Sequence, residues 1–252
     1  MQEIIQEKLR NIEEQHGVKI LYACESGSRA WGFASMDSDY DVRFIYVRPA
    51  ADYLSIRDHK DVIELPVNEV LDVNGWDLKK ALRLFLKSNA PLYEWLQSPV
   101  IYRQQSEFTF ELRHLMHGYF SKRAGCHHYL SMAANTFEYD LQDGEVKLKK
   151  YFYALRPALA CLWIIKTNKT PPPMEFGQLR TIVEDAGWHR AVDELLKQKE
   201  VSDEKAMISP VPVLQQWIEE TLKYCKEQAD AISPVTHDTV ELDALFRKFI
   251  SH

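Results

Sequence analysis

The sequence predicts a mixed α+β domain followed by an all-helical domain, and three observations support this fold class. Short β-forming runs lie among helical patterns in the first hundred residues, and the clearest of them is 42–47. After Pro99, apolar residues recur at helical spacing through most of the chain. The chain has 252 residues, which is enough for one large domain or two small ones. We therefore expect a first domain over residues 1–100 and a helical domain over 101–252.

The expected elements of the first domain form a small mixed sheet flanked by helices. Asp77 is a good N-cap for the helix that follows it, and Pro91 starts the next short helix. In chain order, the pattern predicts a helix over 2–15, a strand over 18–23, a short helix over 29–33, a strand over 39–47, a short helix over 52–59, strands over 62–65 and 70–73 joined by a turn at 66–69, and a helix that starts after Asp77 and ends near residues 88–89.

The second domain is expected to contain helices only. Pro157 stands near the middle of a long apolar helix and predicts a kink there. The expected helices cover 108–119, 124–139, 150–166, 177–186, 188–199, 210–231 and 238–250.

Composition narrows the classes of protein that need to be considered. The formal net charge of −6 provides no overall basic field for gathering nucleic acid, although a local basic patch is compatible with it. The four cysteines lack paired spacing, which predicts reduced thiols and no disulfides. The longest apolar stretch, 158–165, is too short to span a bilayer, and the charged amphipathic start is unlike a signal sequence. We therefore expect a cytoplasmic protein without membrane association.

Two aspartates with one residue between them mark the candidate site. On a strand, side chains at i and i+2 point to the same face, so Asp39 and Asp41 are expected side by side while Val42 and Phe44 face a core. Two neighbouring carboxylates repel each other, and a divalent cation removes that repulsion. Magnesium prefers oxygen ligands and keeps coordination positions for substrate phosphates. The pair therefore predicts a Mg²⁺ site.

A small-residue turn precedes the acids by about ten positions. Gly27 and Ser28 follow an apolar run, and a glycine after a strand lets the backbone approach an anion. A strand, a Gly-Ser turn, a short helix and a strand carrying Asp-x-Asp together indicate a metal-dependent site for nucleotide phosphates.

These motifs resemble the polymerase-β-type nucleotidyltransferase superfamily. The string Gly-Ser-Arg-Ala-Trp-Gly-x-x-Ser-x-x-Ser-Asp-Tyr-Asp-x-Arg at 27–43, with the segments 72–82 and 88–99, is similar to its RNA-repair-pathway, or RNA-ligase-associated, branch. The resemblance is strong over 18–100 and looser beyond. It implies a polymerase-β-like sheet, a nucleoside triphosphate substrate, and two Mg²⁺ ions, with Mn²⁺ as an alternative.

The resemblance also implies a third acid and a set of nucleotide-binding residues. Asp72, on a brief strand before the capped helix, matches the family's third acid, and Glu64 is the alternative. Asp39, Asp41 and Asp72 are thus the expected catalytic and metal-binding residues. The expected nucleotide-binding residues are Gly27, Ser28, Arg29, Ser38, Arg43, Lys150 and Arg156.

Several of these assignments have a plain structural alternative. Arg43 shares the face of the acids, so it suits an ion pair with them as well as a phosphate. Ser38 suits a role in holding its loop. Lys150 and Arg156 lie on one face of the long helix, where exposed lysines are usually only solvated.

The predicted reaction moves a nucleoside monophosphate from a triphosphate to an acceptor hydroxyl, with release of pyrophosphate. The residues leave open whether the acceptor is an RNA end, a protein or a small molecule. The alternative class is a non-catalytic module that binds a nucleotide or a partner on the same fold.

Overall fold

The computed structural model describes residues 1–66 and 70–251. The turn predicted at 66–69 lies largely outside the described residues. Within them, five strands form a mixed sheet in the order β3-β4-β2-β1-β5. The strands are β1 (Lys19–Ser26), β2 (Tyr40–Val47), β3 (Val62–Glu64), β4 (Leu71–Asp77) and β5 (Ile101–Gln104).

Helices make up most of the rest of the described chain. They are α1 (Gln2–His16), α2 (Gly27–Trp31), α3 (Ala50–Tyr53), α4 (Leu78–Leu86), α5 (Ala90–Trp95), α6 (Ser106–Tyr119), α7 (Lys122–Asp140), α8 (Leu148–Thr167), α9 (Phe176–Leu179), α10 (Ala186–Val201), α11 (Pro212–Asp230) and α12 (Val240–Ile250), with a 3₁₀ turn at Arg180–Ile182. The predicted α+β fold with a helical C-terminal part is confirmed.

Helix α1 covers one face of the sheet. Its apolar stripe of Ile5, Leu9 and Ile12 is buried in a cluster that includes Val42 and Phe44. The helix ends at Gly17, whose φ of 61° is left-handed and whose N–H donates to the carbonyl of Glu13. The alternation predicted for β2 is therefore correct, since Val42 and Phe44 face a core.

Strands β2 and β4 are parallel neighbours, and their register positions the candidate site. Asp41 pairs with Asp72 near the start of both strands, and Tyr46 pairs with Asp77 at the far end. Both acids therefore lie at the amino-terminal ends of β2 and β4, which form one edge of the sheet. The carboxyl-terminal ends of the two strands form the opposite edge. Since a strand rises about 3.3 Å per residue, the five steps from Asp72 to Asp77 separate these edges by roughly 16 Å.

The chain forms two compact units. Unit 1 comprises Met1–Gly27, Asp39–Tyr119 and Thr236–His252, and unit 2 comprises Ser28–Ser38 and Phe120–Val235. Unit 1 holds the five-stranded sheet, and helix α12 belongs to it although it comes last in the chain. The predicted functional domains at 1–100 and 101–252 stay a prediction, because compactness alone does not assign function to a segment.

Unit 2 is built on helices α7, α8 and α11. Helix α8 continues through Pro157 as one element. Cys126, Cys161 and Cys225, one from each helix, are free and buried. A two-residue ladder, Val146–Lys147 with Met207–Ile208, is an addition to the helices that the sequence predicted.

Candidate active site

Asp41 and Asp72 form the centre of the candidate site. Paired positions on adjacent strands are about 4.8 Å apart, and the parallel register places both side chains on the face opposite α1. Their side chains are 29% and 34% exposed, so solvent and ligands reach both carboxylates. The structure thus brings together two of the three predicted acids.

Arg43 forms an ion pair with both acids. One guanidinium nitrogen, Nη2, lies 3.1 Å from Oδ1 of Asp41 and 2.7 Å from Oδ2 of Asp72. The other terminal nitrogen donates to the carbonyls of Val42 and Asp72 at 3.1 and 3.2 Å. A single positive charge therefore offsets the repulsion between the two carboxylates. Of the two roles open to Arg43, the structure shows the ion pair.

Gly27 lies directly against the carboxylate of Asp41. A Cβ at this position would lie 2.1 Å from Oδ2 and 3.0 Å from Cγ of Asp41, and the φ of Gly27 is +63°. Both the space and the backbone conformation therefore require glycine. This close approach explains why a glycine directly follows β1, next to the acid-bearing strand.

A buried glutamate also supports the acid pair, and the sequence prediction missed it. Glu25 is 1% exposed, and its Oε1 accepts the backbone N–H of Asp41 at 2.8 Å. Its other oxygen accepts a hydrogen bond from the hydroxyl of Tyr102. Glu25 stands two residues before Gly27 in an otherwise apolar strand, and a charge in a buried strand is the only signal that points to it.

The other two candidate acids, Asp39 and Glu64, lie outside the pair of Asp41 and Asp72. Asp39 is exposed and precedes β2 by one residue. Glu64 pairs with Asn74 on the edge strand β3, and its carboxylate accepts a hydrogen bond of 2.6 Å from the Asn74 amide. Since β4 separates β3 from β2, Glu64 is one strand farther from Asp41 than Asp72 is. The register thus favours Asp72 over Glu64 as the third acid.

The predicted phosphate loop continues into unit 2 at Ser28, which is buried. Its carbonyl accepts hydrogen bonds of 3.1 Å from the N–H groups of Gly32 and Phe33. The guanidinium of Arg29 donates to the carbonyl of Ser38 from Nε at 3.2 Å and from Nη2 at 2.6 Å. Arg29 therefore ties the start of the 28–38 segment to its end.

The end of this segment is anchored by residues that lie far away in the sequence. The Ser38 hydroxyl donates to Glu204 at 3.2 Å and accepts the Ser35 N–H at 2.9 Å. The backbone N–H of Glu204 donates to Asp37 at 3.1 Å, and Lys149 donates to the Glu204 carboxylate at 2.7 Å. These contacts give Ser38 the loop-holding role that the sequence left open.

Lys199 is buried beneath the same loop. It is 4% exposed, and its Nζ lies 3.4 Å from the Ser35 hydroxyl. Burial lowers the pKa of the Lys199 ammonium, while the nearby Glu204 carboxylate acts in the opposite direction. No spacing rule links residues 35 and 199, so sequence reasoning had no access to this contact.

The two cations predicted on the long helix are engaged within unit 2. Lys150 forms an ion pair of 2.9 Å with Asp140. Arg156 is 2% exposed, donates to the carbonyl of Met174 at 2.9 and 3.0 Å, and lies 4.5 Å from the centre of the Trp31 ring. These contacts are structural, and nucleotide binding by Lys150 and Arg156 stays a prediction.

The acid pair fits a hard cation by its chemistry. Carboxylate oxygens that are reachable from solvent and already converge on one positive group are the donors that Mg²⁺ and Mn²⁺ prefer. As the site stands, Arg43 supplies the countercharge. Over residues 1–66 and 70–251, no group of three or more His, Cys, Asp or Glu side chains is arranged to hold a metal ion.

The family match decides what kind of protein carries this site. Residues 1–248 match the RNA repair pathway DNA polymerase beta family. The chain belongs to this family. The predicted resemblance to polymerase-β-type nucleotidyltransferases is therefore confirmed, and the match extends well beyond residue 100, where the sequence motifs were weaker.

Two similar proteins accompany this family assignment. The uncharacterized protein YcgL of Bacillus subtilis (strain 168) is 44% identical over 247 residues, which cover 97% of this chain and 95% of the relative. A solved structure of a nucleotidyltransferase-like protein from Exiguobacterium sibiricum 255-15 has 12% identity and a TM-score of 0.31 over 90% of this chain and 75% of that one.

Residues outside the site add one finding about membranes. None of the described helices combines the length and the apolar character that crossing a bilayer requires.

Proposed function

We propose that the protein is a metal-dependent nucleotidyltransferase that moves a nucleoside monophosphate from a nucleoside triphosphate to an acceptor hydroxyl. The observation that carries this proposal is the convergence of Asp41 and Asp72 on a single cationic group, with Gly27 against Asp41. Membership of a polymerase-β-type family supports the same reaction class. The acceptor is an RNA end, a protein or a small molecule.

In this reaction the acceptor oxygen bonds to the α-phosphorus while the bond from that phosphorus to the pyrophosphate oxygen breaks. Asp41 and Asp72, joined by Asp39, would hold two Mg²⁺ or Mn²⁺ ions. Such ions, when bound, neutralise charge on the attacking and leaving oxygens. Asp72 would accept the proton of the acceptor hydroxyl. Gly27 and Ser28, at the turn that directly follows β1, would receive the phosphates.

Arg43 has two roles in succession under this proposal. Without metal it pairs with both carboxylates, which keeps them close together although they repel each other. A metal ion held by Asp41 and Asp72 would displace the guanidinium, which would then be available to a phosphate oxygen. The predicted contact of Arg43 with nucleotide and its observed ion pair therefore belong to different states of one site.

The proposal is tested by pyrophosphate release from labelled nucleoside triphosphates in the presence of RNA ends, protein extract or small-molecule acceptors. We expect Mg²⁺-dependent release that Asp41→Asn and Asp72→Asn abolish. Glu64→Gln is the matched control, because it neutralises an acid on the same face one strand away. Loss of release in Glu64→Gln with retention in Asp72→Asn would overturn the choice of third acid.

Nucleotide binding separates an enzyme from a binding module. Calorimetric titration of ATP should show a component of the affinity that depends on Mg²⁺ and on Asp41. ATP affinity that is the same with and without Mg²⁺ and the same in wild type and Asp41→Asn, with no release of pyrophosphate, would establish the module instead.

A further inference from the structure

A polar cavity lies at the carboxyl-terminal ends of β2 and β4, opposite the ends that carry the acid pair. It forms where β2 and β4 end, and its walls come from the segment 48–61 and the start of helix α4. The parallel register makes the edge of Asp77 distinct from that of Asp72, roughly 16 Å away along the strand. The cavity is therefore a separate site within unit 1.

Positive charge dominates the lining of this cavity. Six lysine or arginine side chains line it, together with His59 and four aspartates. The six are Arg48, Arg57, Lys60, Lys79, Lys80 and Arg83. This concentration of cations contrasts with the chain as a whole, whose formal net charge is −6.

Most of the acids in the lining are already engaged. Asp61 pairs with Lys80 at 3.1 Å, and Asp52 lies 3.9 Å from His59. Asp77 caps α4 by accepting the Lys79 N–H at 2.8 Å, and it also accepts the Tyr53 hydroxyl at 2.8 Å.

The other five cations form no ion pair with any side chain that the structure describes. With His59 neutral, six cations stand against four aspartates in the lining. The lining therefore carries an excess of positive charge that its own acids leave uncompensated.

One buried donor in the lining lacks an acceptor. The Nε of Arg48 is buried without a hydrogen-bond partner among the described residues, while its Nη2 donates to the Lys60 carbonyl at 3.3 Å. A buried donor without a partner is costly, and an anionic ligand oxygen would satisfy it.

We propose that this cavity binds the phosphate end of a phosphorylated organic ligand, at a site distinct from the acid pair. Lysine and arginine side chains around a pocket are the groups that recognise phosphate oxygens. The cavity volume of 380 Å³ lies within the range of small-molecule sites. The ligand class follows from the excess of cations and from the partnerless Arg48 donor.

An adjoining groove indicates that the ligand also carries an apolar or aromatic group. This second groove shares Lys79 and Arg83 with the cavity and is otherwise lined mainly by Leu82, Leu86, Leu242 and Phe246. Its volume is 270 Å³. A phosphate held by the two shared cations would leave the organic part of the ligand over these apolar side chains, as in a nucleotide.

The test is calorimetric binding of two probes, inorganic pyrophosphate and AMP, to the full chain in EDTA. We expect both to bind the wild-type protein. AMP carries less negative charge than pyrophosphate, and its affinity should exceed what this smaller charge alone predicts, because the groove also binds its organic part. The double variant Lys79→Gln/Arg83→Gln should weaken both by at least about tenfold, since a hydrogen bond to a charged group contributes that much. Lys87→Gln, an exposed change just beyond the same helix, is the matched control and should leave both affinities unchanged.

The outcome is independent of the proposed transferase. Asp41→Asn should leave binding of both probes intact, because the acid pair lies at the other edge of the sheet. Equal affinity in the wild type and the double variant, or no binding at millimolar probe, would overturn the proposal. Pyrophosphate binding without AMP binding would limit the site to free polyphosphate and refute the role of the groove. An unchanged melting temperature of the double variant shows that its fold is intact.

Discussion

Replacing Gly27 with alanine probes the packing of the candidate site most sharply. The added Cβ would lie 2.1 Å from Oδ2 of Asp41, so the carboxylate must rotate away from Arg43. The backbone adds a second cost, since an alanine at a φ of +63° is disfavoured by about 1–2 kcal/mol. Gly17 offers a matched control, because its φ is +61° and its Cβ would meet no atom within 4 Å.

The two variants therefore differ only in the contact with Asp41. The Asp41–Arg43 pair is partly exposed, and such a pair contributes about 0.2–1 kcal/mol. We expect Gly17→Ala to cost about 1–2 kcal/mol and Gly27→Ala to cost up to about 1 kcal/mol more, which corresponds to roughly 2–4 °C in melting temperature for a chain of this size.

The assay compares melting temperature and nucleotidyl transfer in the two variants. Gly27→Ala should lower the transfer rate by about a hundredfold, since a misplacement of about 1 Å is enough for such a loss. Gly17→Ala should retain near-parental transfer. Equal transfer rates in both variants would refute the reasoning that the Gly27 backbone supports the site through Asp41.

Three further changes test the contacts around the site and the sheet. Glu204→Gln should raise amide exchange over residues 35–38 and cost about 0.2–1 kcal/mol, whereas Glu200→Gln, an exposed acid nearby, should change neither. Lys199→Met should remove a pH dependence: burial lowers the Lys199 pKa, so the unfolded state binds more protons, and wild-type stability should rise with pH up to about 10.4. The free energy of unfolding, measured by denaturant titration at several pH values, should rise with pH in Lys197→Met but not in Lys199→Met. The same dependence on pH in both variants would contradict the assignment. Gly75→Ala should destabilise by about 1–3 kcal/mol, because its Cβ would lie 2.2 Å from the Phe44 ring, and an unchanged melting temperature would disprove that close approach.

Local patterns were enough to predict most elements of the fold. The apolar stripe of α1, its stop at Gly17 and the alternation of β2 depend on neighbouring residues, and the structure confirms each of them. Strand β5 was missed because its four residues show no strong alternation and acquire their conformation by pairing with β1. The placement of α12 in unit 1 was equally inaccessible, since no local signal says which distant surface a terminal helix packs on.

In the candidate site, too, local patterns were predictable from the sequence and long-range contacts were not. The Asp-x-Asp spacing and the Gly-Ser turn are local, so Gly27 and Asp41 were identified from the sequence. Their link to Asp72 depends on the parallel register of β2 with β4, which the sequence left open between Asp72 and Glu64. The anchoring of Ser38 by Glu204 joins residues 166 positions apart, and only the folded chain reveals it.

Binding of Mn²⁺ to the acid pair is the most direct test of the central claim, because it needs no knowledge of the acceptor. Electron paramagnetic resonance of Mn²⁺ titrated into the protein with ATP should show a bound ion in the wild type and in Glu64→Gln. The signal of the bound ion should be lost in Asp41→Asn and in Asp72→Asn. Retention of Mn²⁺ with unchanged affinity in both aspartate variants would contradict the assignment of these carboxylates as the metal ligands of a nucleotidyltransferase.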